Sequence, residues 1–205
     1  KQIVQFGQRQ RPPITPKTTC VAALLQQGFA WWAHVGDSRL YVIRSGQFRQ
    51  RTRDHSYVEQ LYRSGQIAAE ERKVHKRRNY VTRCLGGEDK SAQPTLSLPF
   101  PLCQDDVLLL CTDGLWGALD DEVLAAAWGD RQAVETLLGE LTERAATTKA
   151  PESDNVTAVA VRYGSEAVVT VPPELAALAG QSPENLEWAA KLSEIYRDVV
   201  DDDDL

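Results

Sequence analysis

The chain of 205 residues contains no methionine and begins with lysine, so it is expected to be a fragment or a processed form of a longer polypeptide. Its first 36 residues hold neither aspartate nor glutamate, and the first carboxylate is Asp37. Carboxylate candidates within this sequence are therefore sought from Asp37 onward. No apolar run approaches the ~18 residues that a membrane span needs, and no basic-then-apolar leader opens the chain, so neither a membrane segment nor a secretion signal is expected within it. The four cysteines (Cys20, Cys84, Cys103, Cys111) stand far apart without a CxxC pair, which argues against a zinc cage or a disulfide framework. A cytoplasmic setting is the corresponding expectation. Basic residues are outnumbered 23 to 29, giving a net charge of −6, whereas nucleic-acid binders are usually basic; nucleic acid is not an expected partner.

What is present suits one domain of ordinary size, with 42% apolar residues to form a core. Residues 1–17, with Pro12, Pro13 and Pro16, are expected to be an irregular lead-in. Apolar and β-branched runs follow at 18–26, 29–35, 39–44 and 47–52, with Gln27-Gly28 and Ser45-Gly46 between them as turns. That is the pattern of an antiparallel meander. From His55 to about Lys76 the spacing becomes helical, with Val58, Leu61 and Tyr62 at i, i+3, i+4 and Gly65 as a stop. Strands are expected again at 80–85, 95–98, 106–111 and 155–163, and helices at 121–128 and 130–147. After Tyr163 the composition changes. Residues 164–205 are expected to form a short helical tail ending in the four carboxylates Asp201 to Asp204.

Three aspartates sit beside apolar strands: Asp37 after AHVG, Asp113 after LLLCT, and Asp154 before NVTAVAV. Carboxylates at strand ends can gather as hard oxygen ligands around Mg2+ or Mn2+. Each also has a plain explanation, since Asp-Gly and Asp-Asn pairs are common in turns and loops. Spacing alone does not show that the three converge.

In combination the motifs are specific. TTCVAALL (18–25), AHVGDSRLYVIRSGQ (33–47), RDHS (53–56), VTRCLG (81–86), LLLCTDGLWG (108–117) and SDNVTAVAV (153–161) occur in this order. Over residues 17–163 the chain resembles the metal-dependent type-2C serine/threonine protein phosphatases, the PPM family. The resemblance implies an α+β fold: two stacked antiparallel β-sheets flanked by helices, an α-β-β-α sandwich occupying residues 1–163. It implies two or three Mn2+ or Mg2+ ions in a complete enzyme, and hydrolysis of phosphoserine and phosphothreonine in proteins by a metal-bridged water. The expected partners are phosphoproteins, substrates of a cognate Ser/Thr kinase. By motif, Asp113 and Asp154 match metal-binding aspartates, and Asp37 matches the position of an additional, weaker site. Asn155 is expected to be a loop residue beside a ligand, and Arg39 to brace carboxylates.

Residues 1–36 depart from that pattern. Family members carry an acidic residue, an Asp-Gly pair, a phosphate-binding arginine and a nearby histidine before the segment corresponding to Thr18, and none of these is found here. The N-terminal part of the domain is accordingly expected to be missing, and no catalytic acid or phosphate-binding arginine is assigned. His34, within FAWWAHV, is expected to be structural. The alternative implied is a non-catalytic, phosphatase-like binding or regulatory module without a complete two-metal site. Residues 53–83 correspond to the family's variable flap. Between 71 and 83, six basic side chains face only Glu71, which makes either a solvated helix end or a surface for phosphorylated segments. Arg77 and Arg78 are the substrate-binding candidates. Trp116 is expected to pack rather than to line the site, and Cys111 to be buried and inert.

Overall fold

The computed structural model describes residues 2–86, 92–148 and 154–164. A short helix α1 (Gln2–Arg9) precedes strands β1 (Cys20–Gln26), β2 (Phe29–Val35), β3 (Arg39–Arg44) and β4 (Gln47–Arg51). Helices α2 (Tyr57–Arg63) and α3 (Glu71–Val74) follow, then β5 (Thr95–Leu96), β6 (Phe100–Pro101) and β7 (Val107–Cys111). Helices α4 (Asp113–Trp116), α5 (Asp121–Ala126) and α6 (Val134–Thr148) lead to β8 (Ala158–Arg162).

These strands form two antiparallel sheets. In the first, β2 lies between β1 and β5 and also pairs with β6; the second runs β4-β3-β7-β8. Both expected turns close their hairpins, since Gln26 pairs with Phe29 and Arg44 with Gln47. The central strand β3 is buried on both faces, and this defines the layers. Leu40 and Val42 pack with Ala30, Trp32, Leu102 and Leu108 between the sheets. Tyr41 and Ile43 face the other way, into a core with Leu109, Leu115, Leu124 and Leu141 from β7 and helices α4–α6. Each fully buried leucine of this kind contributes about 1.5–3 kcal/mol relative to exposure. The two-sheet, helix-flanked α+β architecture expected from sequence is the one observed.

Several local expectations differ from the structure. The lead-in is not wholly irregular: α1 occupies its first half, and the three prolines lie beyond its end. Residues 80–85 form no strand; Val81 and Leu85 make single bridges to Ser56 and Thr18. The last strand is shorter than its apolar pattern, beginning at Ala158 rather than Asn155. The expected helical tail, apart from Gly164, lies outside the described residues.

Candidate functional site

Asp37 occupies the turn between β2 and β3, and four hydrogen bonds fix that turn. The Gly36 N–H donates to His55 Nδ1 (3.2 Å) while the His55 N–H donates to the Gly36 carbonyl (2.9 Å). Ser38 Oγ and Thr19 Oγ1 share a hydrogen bond of 2.8 Å. Trp116 Nε1–H donates to the Asp37 carbonyl at 3.0 Å. Gly36 itself stands at φ +106°, and a Cβ there would lie 2.3 Å from Thr19 Cγ2, so both conformation and space require glycine.

Asp113 opens α4, a single turn anchored by the fully buried Leu115. The next residue explains how the Asp154 segment reaches it. A Cβ on Gly114 would come within 2.4 Å of the Asn155 carbonyl oxygen, so only glycine lets the two backbones touch. Thr112 reinforces the contact: its N–H donates to the Thr157 carbonyl (3.0 Å) and its hydroxyl to that of Asn155 (3.3 Å). Asp154 is exposed, with its Oδ1 accepting the Asn155 N–H at 2.8 Å. Asn155 thus has the expected loop role.

Asp37 and Asp113 sense each other. The Asp37 carboxyl is pushed up to about 6, first by burial and then by the charges of Asp113 and Asp54, with Arg39 opposing. Carboxylates crowded in this way are relieved by a cation, and hard oxygens suit Mg2+ or Mn2+. Among the described residues no group of three or more His, Cys, Asp or Glu side chains gathers as a metal cage. Mg2+ commonly keeps several waters and takes one or two carboxylates plus substrate phosphate, so the donor chemistry fits with an incomplete protein shell.

Arg39 does brace carboxylates, but its partners are Asp54 and Asp121. Its Nε and Nη2 donate to both oxygens of Asp54 (2.9 and 2.7 Å), and its Nη1 donates to Tyr41 Oη (3.0 Å) and Asp121 Oδ1 (3.3 Å). Its guanidinium lies 3.7 Å from the Trp116 ring centroid. Burial opposes the charge, yet the bonds and charge of Asp54 hold the Arg39 pKa above the ordinary arginine value. Asp121 also accepts from Arg51 (2.7 Å) and Tyr41 (3.0 Å). Sequence reasoning missed this network. Asp54 was visible within RDHS, while Asp121 carried only the signal of an acid in a helix's first turn.

His34 is structural as expected: it is buried, its Nε2 lies 2.7 Å from the Arg53 carbonyl, and its ring stacks on His55 at 4.5 Å. Cys111 is buried and its thiol is pushed up to about 12, chiefly by burial, which leaves it inert. All four cysteines are free. The two ends of segment 53–83 are hydrogen-bonded to each other, through the Tyr57 N–H to the Tyr80 carbonyl and the Thr82 N–H to the His55 carbonyl. Within this segment, Arg72 is taken up by Glu59 and the Tyr62 ring, and Lys73 by Asp120. Arg77 and Arg78 are exposed in the turn after α3, with the Arg77 guanidinium 5.3 Å from the Tyr57 ring centroid. No helix among the described residues is long and apolar enough to cross a membrane.

No protein-family model matches the chain. It is 41% identical over 115 residues to the serine/threonine phosphatase stp of Listeria monocytogenes, a match covering 56% of this chain and 45% of that protein. The chain thus spans about half the length of the curated relatives it matches. The crystal structure of the Mycobacterium tuberculosis serine/threonine phosphatase PstP/Ppp superposes with a TM-score of 0.71 at 31% identity, covering 80% of this chain and 67% of that one. The catalytic domain of a phosphatase PstP solved with two manganese ions matches at 30% identity and a TM-score of 0.66, covering 79% and 66%. The ordered motifs, the double antiparallel sheet and these likenesses converge: the chain belongs to the PP2C-type (PPM) family of serine/threonine protein phosphatases.

Proposed function

We propose that the protein hydrolyses phosphoserine and phosphothreonine in phosphoproteins with the help of Mn2+ or Mg2+. The observation that carries this reading is the pairing of Arg39 with Cys111, which brings the segments of Asp37 and Asp113 to the same end of the sheet, beside a loop that Gly114 docks against Asn155. Asp113 and Asp154 would hold the principal cation, with Asp37 at an additional site. When bound, such cations neutralise phosphate charge and make water easier to ionise near neutral pH. The protein's own part is to hold the segments that carry these carboxylates in place ahead of the cation. Arg39 fits this division of labour, because its hydrogen bonds go to Asp54, Tyr41 and Asp121.

Arg77 and Arg78 form the proposed substrate contact. Their exposure on the flap, whose base is bonded to the loop beside Gly36, supports attraction of a phosphorylated segment. A cognate Ser/Thr kinase would supply those substrates. The free cysteines, with Cys20 and Cys103 exposed, support a reducing, cytoplasmic setting. No observation favours the non-catalytic alternative. The test is phosphate release from a phosphothreonine peptide with and without Mn2+: release that needs the metal supports the reading, and none at saturating Mn2+ contradicts it.

A further inference from the structure

Trp116 stands between the two candidate ligand segments without being a ligand. We infer that Trp116, backed by Arg39, is the positioning residue that sets Asp37 against Asp113 and so fixes how tightly a divalent cation is held at the additional site that Asp37 would serve. The inference rests on the metal reading proposed above.

The sequence DGLW starts α4 with Asp113 and ends it with Trp116, and residues at i and i+3 lie on one helix face. From there the indole Nε1–H reaches the Asp37 carbonyl at 3.0 Å, joining the β2-β3 turn to the helix that carries Asp113. The ring cannot tilt freely. On it lies the Arg39 guanidinium, 3.7 Å from the centroid, held in turn by Asp54, Tyr41 and Asp121. Arg39 stands two residues beyond Asp37 in the chain, so the contacts close a ring: Asp37 carbonyl, indole, guanidinium, backbone. The clasp adds to the β3-β7 pairing of Arg39 with Cys111, and it ties the turn that carries Asp37 directly to the helix that carries Asp113. Holding like charges together in advance of the cation is preorganisation, and its loss appears as weaker binding.

The test uses Mn2+ itself, followed through the electron paramagnetic resonance signal of the free ion, with the whole protein as wild type, Asp113→Asn, Trp116→Phe and Trp128→Phe. Trp116→Phe keeps a ring beneath Arg39 and removes the N–H. One hydrogen bond of ordinary net strength converts to a weakening of about two- to tenfold in Kd. Trp128 supplies the control, because its buried Nε1 has no hydrogen-bond partner among the described residues, so Trp128→Phe makes the same change of ring in the core without removing a bond. The expected result is weaker Mn2+ binding in Trp116→Phe, unchanged binding in Trp128→Phe, and the largest loss in Asp113→Asn. Wild-type affinity in Trp116→Phe, with binding still lost in Asp113→Asn, overturns this inference alone. Equal binding by wild type and Asp113→Asn overturns the metal reading and the inference with it. A general packing role would instead lower the melting temperature of both tryptophan variants and separate neither by Kd.

Discussion

Replacing Arg39 by methionine keeps the aliphatic stem and deletes the guanidinium, and the structure says where the cost falls. The Arg39 and Asp54 side chains are each 10% exposed, and Asp54 loses both of its bonds to the guanidinium. Asp121 loses a longer bond of 3.3 Å but keeps Arg51 and Tyr41. The penalty is therefore concentrated on one stranded, buried carboxylate. Removing one partner of a buried ion pair costs about 3–5 kcal/mol. At about 2–4 °C per kcal/mol for a chain of this size, the melting temperature should fall by about 6–20 °C. Thermal and urea unfolding followed by circular dichroism measure this directly. The double variant Arg39→Met/Asp54→Leu should recover most of the loss, because an apolar replacement of both partners leaves no uncompensated charge. A loss below about 1 kcal/mol in Arg39→Met, or a double variant as unstable as the single one, would refute the assignment of this pair as the brace.

Three further outcomes follow from the same structure. Gly114→Ala places a methyl group against the Asn155 backbone, where no flexible side chain can yield; it should cost about 1–3 kcal/mol and weaken Mn2+ binding, both read by titration and melting. His55 is lowered to about 4 by burial and then by the charges of His34 and Arg83, and His34 is lowered mainly by burial. The unfolded chain therefore takes up protons first as pH falls below about 6.5, so this stability is present above that pH and declines toward pH 4. The urea midpoint should drop more between pH 7 and pH 5 in the wild type than in His55→Gln; equal drops would contradict the shift. Exposed Cys20 and Cys103 should react quickly with a thiol reagent and Cys111 only on unfolding, whereas rapid labelling of Cys111 would contradict its burial between β7 and the helices.

Much of the fold was legible because local signals carried it. Gln27-Gly28 and Ser45-Gly46 sit between strands of alternating pattern, and hairpin register follows from turn and alternation together. The apolar run at 107–111 marked a strand buried on both faces. Other elements were hidden for physical reasons. Prolines 12, 13 and 16 masked α1, although they begin only after the helix ends. Val81 and Leu85 carry strand-like side chains, yet each finds only one bridge, because extended backbone becomes a strand only where a partner runs alongside it. Asp113-Gly114 resembled a turn and proved to begin a one-turn helix.

The site divides in the same way. Asp37, Asp113 and Asp154 are candidates by motif, and the packing of Gly114 against Asn155 brings the segments of Asp113 and Asp154 together. The Arg39 network could not be read from spacing, since its partners lie 15 and 82 residues away and their approach depends on sheet order. Trp116 was expected to pack; its indole also bonds the carbonyl of a candidate ligand.

The most direct test of the central claim compares phosphate release from a phosphothreonine peptide by the wild-type whole protein and by Asp113→Asn, at matched folded fraction and over a range of Mn2+. The account predicts Mn2+-dependent release by the wild type and its loss in Asp113→Asn while that variant still unfolds cooperatively in metal-free buffer. Equal, Mn2+-dependent release by both proteins would contradict it.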